Sequence, residues 1–116
     1  MQDEITVERF EELVAAALDG IPPGIGRYIE NVAVFVGEIG FDRNVLGLYQ
    51  GIPLTRRENY GLGMGMPDRI TIYRVPILER CATEEEVIEA VRITVVHEVG
   101  HHFGLSDARL RELGYG

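Results

Sequence analysis

The stretch Thr83–Gly104, TEEEVIEAVRITVVHEVGHHFG, constrains the fold of this chain more than any other. Thr83 with Glu86 three residues on forms a capping box, and Glu84 and Glu85 add negative charge to the first turn. The pattern predicts a helix from Glu84 to about Phe103, ending at Gly104. At about 100° per residue, Ala90, Ile93, Thr94, His97 and His101 share one side, with Val87 at its margin. Val91, Val95 and Val99 lie on a neighbouring side, and only Glu85, Glu89 and Arg92 make a clearly polar stripe. A helix this apolar must be covered on several sides, so the rest of the chain has to pack around it.

The chain has 116 residues, which fits a single domain spanning 1–116, and 46% of them are apolar, enough for a real core. The lone cysteine, Cys81, cannot form an internal disulfide and reads as an inert, buried thiol. The first residues do not resemble a signal peptide and no apolar run is long enough for a bilayer, so the expectation is a soluble, cytoplasmic protein without a membrane partner. The net charge is −8 and all 11 basic residues are arginine. Such a surface repels phosphate backbones, and the pair Arg56–Arg57 is too short a basic stripe to reverse that, so no nucleic-acid partner is expected.

Other elements are marked more lightly. Thr6 can cap a helix from Val7 to Asp19 with Phe10, Leu13, Val14 and Ala17 on its apolar face, stopped by Gly20 and Pro22. Pro22–Glu30 reads as a turn with a short helical piece. Asn31–Gly37 is apolar on both faces, which suits a central strand. Val45–Leu54 reads as a strand that Gly51 and Pro53 push to an edge, and Asp68–Arg74 alternates like a half-buried strand. The glycine-rich Tyr60–Met66 between them reads as a loop, with a rim over a cleft as the sharper alternative. Ser106 or Asp107 can cap a short last helix, with Leu110 and Leu113 facing inward and Gly114 ending it.

All three histidines lie in the segment HEVGHHFGLSD. His97 and His101 are four apart on the predicted helix, so their Cβ atoms lie about 6 Å apart on one face. Two imidazoles can then reach one zinc at about 2.0–2.1 Å without bending the backbone. Glu98 is turned about 100° from His97, beside the metal but out of line as a ligand, where a carboxylate can accept a proton from a bound water. Asp107 reaches the same metal only if the chain leaves the helix and turns back, and Gly104 is the residue that tolerates such a turn. The set His97, His101, Asp107 leaves a fourth position open, as catalytic zinc does. The other residues near the motif have ordinary readings: His102 as a supporting residue, Gly100 as a point of close approach, Tyr49, Tyr60 and Tyr73 as packing. Glu112 is placed less well than Asp107 to be the third ligand.

HExxHxxGxxD resembles the extended metzincin motif with aspartate in place of the third histidine, as in snapalysin-like peptidases. The whole chain resembles the small bacterial zincin-like metallopeptidases, through FEELVAAALDGIPP, ENVAVFV, LGLYQGIPL, PDRITIY, HEVGHHFGLSD and RLRELGYG. The resemblance implies an α+β, minimal zincin-like fold. In it a small mixed sheet packs against a buried active-site helix, with an N-terminal helix and a short C-terminal one. It also implies Zn2+ as cofactor, held by His97, His101 and Asp107, with Glu98 as base and a peptide or protein as substrate. The nine residues after Asp107 contain no methionine, so the likeness to metzincins covers their metal motif and not their methionine-containing turn.

The reading is therefore a zinc metallopeptidase, in which an edge strand near Leu46–Leu54 binds an extended peptide by strand addition. The alternative is a zinc-containing binding or regulatory module with little or no turnover. A base beside an open metal position favours the enzyme. A metal-dependent ribonuclease ranks last, because it lacks a third histidine and carries the wrong charge.

Overall fold

The computed structural model describes residues 5–51 and 68–112. The pair Arg56–Arg57, the glycine-rich Tyr60–Met66, the part of the Val45–Leu54 reading from Ile52 onward, Leu113 and Gly114 lie outside them. The described chain runs α1 (Val7–Asp19), α2 (Pro23–Ile29), β1 (Val32–Gly37), β2 (Gly47–Gln50), β3 (Asp68–Tyr73), α3 (Arg74–Glu79), α4 (Glu84–His102) and α5 (Asp107–Glu112). This is an α+β fold, a small mixed sheet packed against a long motif-bearing helix. None of these helices is long and apolar enough to cross a membrane.

α4 has the bounds its caps dictate. Thr83 Oγ1 accepts from the Glu86 N–H at 3.1 Å, and Glu86 Oε1 accepts from the Ala82 N–H at 2.6 Å. Val87, Val91, Val95, Val96 and Val99 are fully buried along it. A fully buried aliphatic side chain is worth roughly 1.5–3 kcal/mol, which outweighs the about 1 kcal/mol that Gly100 costs a helix interior. Gly100 has a packing reason as well: a Cβ there would stand 3.1 Å from Leu110, which seats α5 against α4. α1 is capped by Thr6, whose Oγ1 accepts from Arg9 N–H at 3.1 Å, and it buries Phe10, Leu13, Val14 and Ala17 as its spacing predicts.

The sheet order is β1-β3-β2, with β1 parallel to β3 and β2 antiparallel to it. The apolar pattern of β1 predicts a central strand. Among the described strands the centre is β3 instead, with Ile70 and Ile72 fully buried, and β1 lies at an edge. The second apolar face of β1 is only partly covered: Phe35 is 44% exposed beneath the Arg69 guanidinium, 4.5 Å from its ring centroid. α3 begins at Arg74, which the alternating pattern assigns to the end of β3. Pro76 sits in its first turn, where a missing N–H costs no helical hydrogen bond.

Arg74 joins three parts of the chain. It forks onto Glu38 at 2.7 and 2.8 Å and donates to the Ile5 carbonyl at 2.6 Å, with its side chain 15% exposed. Arg74→Met is expected to lower stability by about 1–3 kcal/mol, since charged hydrogen bonds are lost and a part-buried carbonyl is left unmet. Hydrogen bonding from Arg74 holds the Glu38 carboxyl below the usual carboxylate range. A group whose folded value is depressed contributes stability above its unfolded value and loses it as pH falls through the folded one. Glu38 is 55% exposed, so its share stays below about 1 kcal/mol. Urea melts should therefore separate Glu38→Gln from the parent at neutral pH and merge them in strong acid. A gap that widens in acid would contradict the assignment.

Candidate metal centre

The last two turns of α4 carry the histidine motif. Helical spacing places His97 and His101 on one side, with ring centroids 6.0 Å apart. Both side chains are exposed. They line a cleft of about 390 Å³ with Glu98, Thr94 and Ile93 from the helix and Asn44–Gly47 from the approach to β2. Ile93 is 41% exposed there, an apolar wall beside the imidazoles. A similar cavity of about 420 Å³ lies between α1 and β1, but its lining is aliphatic and aromatic apart from Glu11, and it gathers no donor set.

Glu98 lies between the two histidines in sequence and is turned toward β2. Its Oε1 accepts the Tyr49 backbone N–H at 3.2 Å. Tyr49 can donate there because Leu46 and Leu48 use their ladder positions on β3. Leu46 O accepts from Tyr73 N–H, and Leu48 is the partner of Thr71. In an antiparallel pair the alternate residues, here Gly47 and Tyr49, turn their N–H and C=O away from the partner strand. Sequence reasoning, which gives Tyr49 a packing role, misses what its backbone does.

Beyond His102 the helix stops as expected. Gly104 has φ +72°, a left-handed conformation that glycine adopts without strain, and the Leu105 N–H bonds back to Gly100 O at 2.7 Å. Ser106 is the cap of α5, its Oγ accepting from Arg109 N–H at 3.1 Å, and Asp107 is the first helical residue, with an exposed side chain. Glu112 is taken up by Arg109 at 2.9 Å. The structure thus brings His97, Glu98 and His101 to one cleft and leaves Asp107 one short loop away. Among the described residues no three His, Cys, Asp or Glu side chains converge closely enough to hold an ion together.

The donors nonetheless suit zinc in type. An imidazole bound through nitrogen has its ring centre about 3 Å from the metal, so rings 6.0 Å apart can share one ion. His102, by contrast, points away from this pair. Its ring stacks on Tyr49 at 4.0 Å, with Asp68 Oδ2 at 3.7 Å from Nε2. Cys81 stands apart from the cleft, half-buried, and burial pushes its thiol above the usual value, which keeps it protonated and inert.

A buried helix bearing HExxH beside a small mixed sheet defines a protein of the zincin type. The zincin-like metallopeptidase family matches residues 29–116, and the chain belongs to that family. Among solved structures it is similar to a conserved hypothetical protein from Thermo thermophilus, with 26% identity and a TM-score of 0.52, over 85% of this chain and 94% of that one. No curated protein matches the chain.

Proposed function

We propose that this chain is a zinc-dependent metallopeptidase, with His97, His101 and Asp107 holding the metal and Glu98 acting as general base. The observation that carries the reading is the grouping of His97, Glu98 and His101 on one wall of an open cleft, in a chain of the zincin-like metallopeptidase family. Asp107 is the proposed third donor for two reasons. Ser106, not Asp107, supplies the capping oxygen of α5 and leaves the Asp107 carboxylate exposed, while Glu112 is engaged by Arg109.

Zinc, when bound, supplies a Lewis acid that polarises the scissile carbonyl and acidifies the attacking water. The chain's own groups do the rest. Glu98, held through Oε1 by Tyr49, takes the proton of the attacking water on its other oxygen and returns it to the leaving amine. Ile93, exposed on the cleft wall, gives an apolar side chain of the substrate a surface to pack on.

The test is zinc content together with cleavage of an unbiased peptide library. The parent is expected to hold about one zinc per chain and to lose it to chelators. Asp107→Ala should lose zinc while Glu112→Ala keeps it; the reverse pattern would move the third ligand to Glu112. A parent that holds zinc but cleaves no peptide would make the zinc-containing binding module the better reading.

A further inference from the structure

β2 runs along α4 in a register that neither segment announces alone. A strand advances about 6.6 Å every two residues and a helix about 6 Å every four. Positions 47, 49 and 51 can therefore match positions 94, 98 and 102 step for step, and they do. A Cβ on Gly47 would stand 2.7 Å from Thr94 Cγ2, Tyr49 N–H donates to Glu98 Oε1, and a Cβ on Gly51 would stand 3.1 Å from His102 Cε1. One residue, Tyr49, is thus gripped twice. Glu98 holds its backbone, and His102, one turn later on the same stripe, stacks on its ring at 4.0 Å with 23° between the planes. Asp68 at the start of β3 accepts from the Tyr49 hydroxyl at 2.7 Å, which fixes the ring that His102 covers.

We infer that His102 is a positioning residue for Glu98: by stacking on Tyr49 it keeps the Tyr49 N–H on the Glu98 carboxylate and so aims the base into the cleft. This deepens the hydrolase reading and rests on it. The ring contact is the operative part, since Nε2 lies 3.7 Å from Asp68, too far for a hydrogen bond, whereas the stacked faces touch. Asp68 and the β3 ladder hold Tyr49 to the sheet, and the stack on His102 is the side-chain contact that holds it against the helix turn beyond Glu98. A misplacement of about 1 Å near the reacting groups can cost up to about a hundredfold in rate.

The experiment compares the parent, His102→Ala and His102→Phe, which keeps a stacking ring without the imidazole nitrogens. Amide hydrogen exchange is read residue by residue on the metal-free chain, and zinc content, kcat and KM on the loaded one. In the parent, the bond to Glu98 should slow exchange of the Tyr49 amide about tenfold relative to an unbonded amide. His102→Ala should erase that difference, leave the Leu48 amide protected through Thr71, keep zinc, and lower kcat on the order of tenfold to a hundredfold with KM unchanged. His102→Phe should restore both the Tyr49 protection and most of kcat. The inference is overturned if His102→Ala leaves Tyr49 exchange untouched, or if it strips Leu48 protection or zinc as well, which would mark general loosening. It is also overturned if His102→Phe rescues nothing. A parent that cleaves no peptide yet shows this exchange pattern keeps the positioning and loses the hydrolase reading; normal cleavage with unchanged Tyr49 exchange does the opposite.

Discussion

Glu98→Gln is expected to bind zinc like the parent and to cleave peptides on the order of 10² to 10⁴-fold more slowly. The amide is nearly isosteric with the carboxylate and keeps a carbonyl oxygen, so it can still accept the Tyr49 N–H that ties the side chain to β2. What it cannot do is take a proton from the attacking water. The substitution therefore separates holding the base in place from using it, and metal content beside peptide turnover reads the two apart. Equal turnover by Glu98→Gln and the parent would end the general-base assignment. Loss of zinc by Glu98→Gln would mean that Glu98 belongs to the metal's own ligand set.

The second large effect belongs to the imidazoles. His97→Ala and His101→Ala each remove one of three proposed protein ligands, so zinc affinity should fall by more than the roughly 10–100-fold typical of losing an outer partner. Both side chains are exposed on a helix that keeps its caps and its buried valines. The metal-free variants should therefore melt within about 0.5 kcal/mol of the metal-free parent. The difference emerges when zinc is added. Ligand at a hundred times its dissociation constant stabilises the folded state by about 2.7 kcal/mol, a shift the parent should show and the variants should lack. Undiminished zinc in His97→Ala would remove His97 from the site.

Helix α4 and the placement of its motif residues are legible in the sequence because everything that defines them is local. The Thr83 cap, the valines, the i, i+4 histidines and the Gly104 stop all act within a turn or two of their neighbours. α1 is legible for the same reason, down to its four buried residues. The strands are harder. Two apolar faces on Val32–Gly37 look alike whether a strand is central or stands at an edge with Phe35 under an arginine, and only the pairing with β3 tells the two apart. Asp68–Tyr73 alternates as its pattern predicts, with Ile70 and Ile72 fully buried, but only the pairing shows that it stands between two partners. α3 hides behind Pro76, a residue that stops a helix interior and is harmless in a first turn.

What the sequence determined by itself is the spacing of the motif side chains: two imidazoles one turn apart, a carboxylate between them in the chain, and the helix stop at Gly104. Those follow from backbone geometry over a few residues. The tertiary structure alone decided what faces them. The bond between Tyr49 N–H and Glu98 spans 49 positions of chain, and the match of 47, 49 and 51 to 94, 98 and 102 depends on where β3 places β2 against α4. Neither glycine nor tyrosine at those positions signals such a contact in isolation. The near-equality of a two-residue strand step and a four-residue helix step has consequences only once the two elements lie side by side.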